Sequence, residues 1–242
     1  MDSAGAPALH ENEPHQNDVA QRLNWLRAGV LGANDGIVSV AAIVVGVAGV
    51  TTQSGPILVA GTAGLVGGAV SMALGEYVSV SSQKDSQQAL IEKERLELQD
   101  QPEEELEELT AIYQGKGLSL DTARKVAREL TAHDALGAHL SAELNIDETD
   151  IVSPWHAAIA SAVAFLIGAI LPMLAILLPP ENIRVPLTFV AVLVALAATG
   201  ALGAWIGGSS KVRAAARVVA GGALALAATF SIGNLLGASG VL

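Results

Sequence analysis

The sequence predicts an all-α fold: a five-span transmembrane helical bundle with a small acidic cytoplasmic helical domain inserted between spans two and three. Three observations carry this. Hydrophobic residues make up 51% of the 242 and charged residues only 15%, whereas a water-soluble chain carries about 25% charged residues. The mean hydropathy is +0.48, and 25 glycines are spread among runs of Ala, Val, Leu and Ile, a mixture that suits helices packed closely in lipid. The acidity is concentrated. Residues 81–153 hold 17 of the 24 acidic residues and 7 of the 13 basic ones, a local balance of −10 against −11 for the whole chain.

The same numbers exclude several classes. With no cysteine there are no disulfides, thiolate zinc sites, iron–sulfur clusters or thioether-linked haem. A net charge of −11, without a basic cluster interleaved with aromatics, argues against a nucleic-acid partner.

In chain order, residues 1–20 are polar, contain Pro7 and Pro14 and lack the apolar core of a signal peptide. They predict a disordered tail in which His10 and His15 are spectators. Residues 21–80 then hold the first two spans, at about 28–50 and 56–78, separated by the polar turn Thr51 to Gly55. Each is long enough to cross about 30 Å of hydrocarbon at roughly 1.5 Å per residue. Residues 154–242 hold the remaining three, at about 154–178, 185–207 and 214–238. Pro56, Pro154 and Pro186 sit near helix starts, where a missing N–H costs little, and Pro172 predicts a kink inside the third span.

Basic residues near the span ends set the orientation. Arg22, Arg27, Lys84, Lys211, Arg213 and Arg217 flank one side and Arg184 alone the other, which puts the N-terminus and the acidic insert in the cytoplasm and the C-terminus outside. Glycine pairs spaced by four (Gly32/Gly36, Gly64/Gly68, Gly203/Gly207, Gly233/Gly237) mark close helix approach, either within the chain or between copies of it.

The insert, residues 81–153, reads as helical. Lys84 to about Gln99 continues the second membrane helix. Pro102 restarts a helix whose first turn holds Glu103, Glu104 and Glu105, where carboxylates suit the positive end of the dipole. Gly115-Lys116-Gly117 ends it. Ser119 caps a third helix from Leu120 to about Leu144, with a break expected near His133 or Gly137.

Carboxylate spacing carries chemistry. Glu94 and Glu97 are three apart, as are Glu105 and Glu108, so each pair projects from one helix face. Like charges brought that close raise one another's pKa unless a cation neutralises them. Oxygen clusters suit Mg(II), Ca(II), Mn(II) and Fe(II). Glu143 and His139, four apart, add an oxygen and an imidazole nitrogen, which favours transition ions. By spacing alone, an acidic helix is more often a solvated face.

Within the spans only Asp35 and Glu76 are acidic. A charge near mid-bilayer costs about 2.5 to 3.5 kcal/mol even on the lenient insertion scale, so such residues mark function. Counted from the cytoplasmic side, Asp35 lies about 10 Å deep and Met72 about 9 Å at the helical rise. Glu76 lies one turn nearer the cytoplasm on the face of Met72. The three line one path with oxygen and thioether donors, and a soft thioether is a poor choice for Mg(II) or Ca(II). Met72 as core filler and Glu76 snorkelling to the interface are the plainer alternatives.

The strings Asn34-Asp35-Gly36-Ile37, Gly67-Gly68-Ala69-Val70-Ser71-Met72-Ala73-Leu74-Gly75-Glu76-Tyr77 and Ser79-Val80-Ser81-Ser82-Gln83-Lys84-Asp85 together resemble the vacuolar iron transporter family, especially its bacterial members. The resemblance runs from about Trp25 to the end. It implies a homodimer that exports Fe(II), with Mn(II) as a second ion, from the cytosol in exchange for protons, the first helices of two subunits flanking the path. By motif, the path's Asp and Met correspond to Asp35 and Met72, and the cytoplasmic glutamates to Glu94, Glu97, Glu105, Glu108 and Glu143. The chain departs from plant members in two places. Gly64 stands where they carry a glutamate two turns before the path methionine, and His139 and Leu140 stand where they carry paired methionines.

Together these readings predict a bacterial plasma-membrane exporter that is no enzyme and has no prosthetic group. Its partners are divalent transition ions, protons, the bilayer and a second copy. Other classes fit parts of the pattern: a magnesium or calcium transporter without need of Met72, a di-iron oxidase although the usual Glu-x-x-His spacing is missing, or a metal-sensing scaffold without transport.

Overall fold

The computed structural model describes residues 16–146 and 153–239, and among them there is no strand. The helices are α1 (Gln16–Ala48), α2 (Ser54–Asp100), α3 (Pro102–Gly115), α4 (Leu120–His139), α5 (Pro154–Leu177), α6 (Arg184–Ile206) and α7 (Lys211–Ala238), with a π turn at Leu140–Leu144. They form two compact units, Met1–Leu74 with Ala158–Leu242, and Gly75–Ala157.

Among the described residues five helices are long and apolar enough to cross a membrane: Gly29–Ala48 of α1, α2, α5, α6 and α7. In hydrocarbon every backbone N–H and C=O must be satisfied within the segment, and a helix does this at any aliphatic sequence. The first unit is built around Val40, Val44 and Val45 of α1, Ile57 of α2, Phe165 and Ile176 of α5, Val192 and Leu196 of α6, and Leu226 of α7. Other large apolar side chains of these helices, such as Val59, Val70, Ile167, Val194 and Leu224, are exposed, as lipid-facing positions are. The chain is an integral membrane protein.

Glycine lets these backbones meet. A methyl at Gly36 would overlap the carbonyl of Phe165, one at Gly168 the carbonyl of Ala33, and one at Gly233 the carbonyl of Gly46. Gly32 lies against α5, Gly64 against Ile43, Gly68 against the Phe165 ring and Gly237 against Val50. Of the four spaced pairs, three thus pack within the chain. α5 is helical through Pro172, which is buried. At the start of α6 the buried Arg184 donates from Nη1 to the Thr52 carbonyl and to Ser54 Oγ, both at 3.2 Å. It ties the turn between α1 and α2 to α6.

The helix boundaries differ from the sequence expectation in two places. α1 begins at Gln16, inside the expected tail. Once a span is helical each added residue gains a hydrogen bond without a new nucleus. Residues 1–15, with Pro7, Pro14, His10 and His15, lie outside the described residues. In the third insert helix, Asp134 has φ −158° and ψ 93°, α4 ends at His139, and a π turn follows to Leu144. The break itself falls where it is expected, beside His133, and Asp134 caps the segment that follows: its Oδ1 accepts the Gly137 N–H at 3.0 Å.

The second unit contains the end of α2, α3, α4, the π turn and the first residues of α5. It is wider than residues 81–153. The Tyr77 and Trp155 rings, with centroids 4.8 Å apart, join its two chain ends. Its buried residues include Ile91, Leu109, Ala123, Ala127 and Leu140. Pro102 opens α3 as expected, with three glutamates in the first turn. Ser119 caps α4 by accepting the Thr122 N–H at 3.4 Å, and Gly117 takes φ +101° in the intervening turn, a conformation glycine adopts freely. Arg124 grips both oxygens of Glu107, at 3.0 and 2.8 Å, fixing α4 to α3.

Candidate metal centre

The second unit buries three chemically matched side chains at one point. Glu94 comes from the C-terminal part of α2, Glu105 from the first turn of α3, and His139 from the last residue of α4. His139 Nδ1 lies 2.9 Å from Glu94 Oε1 and 3.5 Å from Glu105 Oε2. One donor atom from each lies within 4.8 Å of the others. The His139 side chain is fully buried, and those of Glu94 and Glu105 are only 4% and 8% exposed.

Despite these short separations, the ring nitrogens of His139 and Oε1 of Glu94 are buried without a hydrogen-bond partner. Buried polar atoms are almost always satisfied, and an orphaned one costs about 1–3 kcal/mol. Of these three atoms, His139 Nδ1 and Glu94 Oε1 lie 2.9 Å apart beside Glu105, an arrangement a cation would satisfy. Two ligands about 2.1 Å from an ion are at most about 4.2 Å apart, so a small inward movement brings all three donors into bonding range.

The protonation states agree. Burial pushes Glu94 up to about 7, helped by the charges of Glu143, Glu105, Glu97 and Glu108. Burial likewise raises Glu105, with Glu108, Glu97 and Glu143 adding to it. Burial holds His139 below the ordinary imidazole range, against the pull of Glu143 and Glu108. Near neutral pH the imidazole is therefore neutral, with a lone pair to give, and Glu94 exchanges its proton readily. Two carboxylate oxygens and one imidazole nitrogen suit Fe(II), Mn(II), Co(II) or Zn(II) better than Mg(II) or Ca(II).

The other predicted carboxylates stand further off. Glu143 Oε2 is 3.9 Å from His139 Nδ1, with its side chain 30% exposed, close enough to serve as a fourth donor. Glu97 is turned to Lys93, whose Nζ donates to it at 2.7 Å, and Glu108 is exposed. These two act on the cluster through their charge. The i,i+3 spacing put each pair on one face, but only one member of each reaches the interior.

In the membrane unit, Asp35 of α1 is half-buried and its Oδ1 accepts a 2.6 Å hydrogen bond from Ser39 Oγ. Ser39 was not singled out in the sequence, although its spacing of four from Asp35 is the available signal. The neighbouring Asn34 accepts from Thr199 Oγ1 of α6 at 2.6 Å, which fixes the rotation of α1 at this level. Met72 of α2 packs against the core. Gly64 of α2 lies against Ile43 of α1, and Gly61 against Val44. In that antiparallel register eight residues back along α1 and eight forward along α2 reach Asp35 and Met72, so the two sit at one level. Glu76 follows Met72 by four residues on α2 and is half-buried.

The described residues thus form a helical membrane chain with a buried group of two carboxylates and one imidazole that could hold a metal ion. The chain matches the model of the VIT family over residues 26–234, and it belongs to that family. It is 44% identical over 236 residues to a vacuolar iron transporter of Acanthamoeba castellanii, covering 95% of this chain and 84% of that protein. It is 37% identical over 244 residues to vacuolar iron transporter homolog 2 of Arabidopsis thaliana, covering both in full, and 36% identical over 225 residues to vacuolar iron transporter homolog 5 of Oryza sativa, covering 93% and 86%. These proteins are named as transporters and not as enzymes, in line with the sequence reading. They come from an amoeba and plants, and lend no support to the bacterial leaning of the motifs or to a bacterial plasma membrane.

Proposed function

We propose that this chain transports Fe(II), with Mn(II) as a second ion, out of the cytosol in exchange for protons, and that its acidic unit is a cytoplasmic capture site. The observation that carries the proposal is the buried group Glu94, Glu105 and His139 with unsatisfied donor atoms, in a chain whose relatives are named vacuolar iron transporters. Glu97, Glu108 and Glu143 surround that group with negative charge and draw cations toward it. Glu76 receives the ion and passes it to Asp35 and Met72, where a hard oxygen and a soft sulfur together favour a transition ion over Mg(II). A proton arriving from the far side binds Asp35, weakens its hold and releases the ion. Alternating occupancy by two cations spares a bare carboxylate in low dielectric. The working unit is a homodimer with α1 of each copy flanking the path.

The test is flux of Fe(II) and Mn(II) into liposomes under an imposed pH gradient. Metal-driven proton movement by the parent protein and its loss in Asp35→Ala are the expected results. Normal exchange by Asp35→Ala overturns the path, and absence of any flux by the parent favours a sensor or scaffold. Replacing Glu105 and Glu108 together is expected to weaken metal binding measured by calorimetry, and an unchanged affinity removes the capture site.

A further inference from the structure

His139 reaches the cluster only because α4 does not run straight. Ala123 and Ala127 are the buried face of α4. At 100° per residue, an unbroken helix would carry His139 to about 120° from Ala127 around the axis, away from that face. Yet His139 is as deeply buried as Ala127. The break at Asp134, extended at φ −158° and ψ 93°, resets the phase.

What holds the break is a built cap. Asp134 Oδ1 accepts the Gly137 N–H at 3.0 Å, the side-chain-to-N3 bond of a helix N-cap. Gly137 leaves room for this rotamer: a methyl there would overlap the Asp134 carboxylate and oblige it to move. The segment so started is short, and it passes directly into the π turn, which ends at Asn145 with φ 51°. Lys116 Nζ approaches the Ala142 carbonyl of that turn at 3.4 Å. π turns concentrate at functional sites because they re-aim side chains at a cost in helix regularity.

We propose that Asp134 is the positioning residue of the metal centre: by capping the segment after the break, with Gly137 making room for its carboxylate, it aims His139 at Glu94 and Glu105. Asp134 itself is exposed and touches no ion. The inference rests on the metal-centre reading of Glu94, Glu105 and His139, and the test separates the two.

The full-length protein in detergent is titrated with Co(II), following both affinity and the visible d–d absorption, which reports nitrogen coordination and geometry. His139→Ala is expected to lose the nitrogen signature. Asp134→Ala is expected to shift the spectrum in the same direction and weaken Co(II) binding about fivefold, the fold-change of a typical lost cap. Asp134→Asn keeps a side chain that caps equally well and is expected to restore parental affinity and spectrum. Gly137→Ala, which leaves Asp134 in place but crowds its carboxylate, is expected to mimic Asp134→Ala and stands in for it should that variant fail to fold. Parental affinity and spectrum in Asp134→Ala or Gly137→Ala, alongside their loss in His139→Ala, overturn the positioning role. An Asp134→Asn protein that behaves like Asp134→Ala does so too, since charge rather than capping would then matter. Parental behaviour in His139→Ala instead removes His139 from the metal centre, and the proposal falls with it.

Discussion

Nδ1 of His139 stands 2.9 Å from Oε1 of Glu94, both side chains are buried, and neither atom is in a hydrogen bond. The two groups thus approach closely without bonding each other, as two ligands of one ion would.

Metal affinity is expected to fall as the solution is acidified through neutrality. Glu94 holds its proton up to about pH 7 because of burial and the surrounding carboxylates, and an ion must displace it. Below that pH each unit of acidification costs up to about tenfold in affinity per proton released. Mn(II) calorimetry between pH 5.5 and 8, in buffers of different ionisation enthalpy, measures both affinity and proton release. An affinity flat across this range removes Glu94 from the ligand set.

Without metal, stability is expected to decline as pH rises toward 7. Between its ordinary 4.5 and about 7 the folded protein keeps a proton on Glu94 that the unfolded chain has released, so the native state binds more protons and loses stability with rising pH. Glu105, also raised, acts in the same sense. His139 acts oppositely below its ordinary 6.5, where the unfolded chain takes up a proton that the buried ring resists. Glu94→Gln removes the largest declining contribution. Its metal-free thermal midpoint is expected to exceed the parent's at pH 7.5, by about 2–4 °C for each kcal/mol gained in a chain this long, with the gap closing toward pH 5. A gap that widens on acidification contradicts the assignment.

Gly36→Ala is expected to destabilise the membrane unit by about 1–3 kcal/mol, as overpacking does, because its methyl meets the Phe165 carbonyl. Gly67→Ala, which meets nothing within the chain, serves as the control. Thermal unfolding in detergent compares the two, and equal midpoints would show that α1 and α5 part easily there.

Arg184→Ala is expected to loosen the turn between α1 and α2, since Thr52 and Ser54 lose their shared donor. Lost hydrogen bonds to a charged group cost about 1.5–3 kcal/mol. Arg184→Lys supplies one point donor in place of a fork and recovers only part of this. Protease sensitivity of the 51–55 turn, read by mass spectrometry, checks the order parent, Lys, Ala.

The helices and the chemistry of the centre were legible in the sequence to different depths. Pro102, Ser119 and Gly117 punctuate the insert because each has a local physical preference, and the aliphatic spans announce themselves by length. The candidate ligands Glu94, Glu105 and His139 were all named, since carboxylate spacing and the imidazole are visible in one dimension. Which member of each pair turns inward was not. Glu97 and Glu94 share a helix face, yet Glu94 is buried while Glu97 pairs at the surface with Lys93. The break at Asp134 lies beside His133, where the sequence expects one, but the cap from Asp134 to Gly137 shows only in the folded backbone. The bond between Thr199 and Asn34 links residues distant in the chain, and only the packing of α1 on α6 creates it.

The contact of Gly233 with the Gly46 carbonyl sets backbone directly on backbone between α1 and α7, and Gly237 repeats it beside Val50. Sliding either helix by one residue would drive a side chain into a carbonyl. α1 and α7 are therefore locked in one register, and if the proposed path through Asp35 holds, the looser side-chain contacts of α1 with Gly61 and Gly64 of α2 are where movement would cost least.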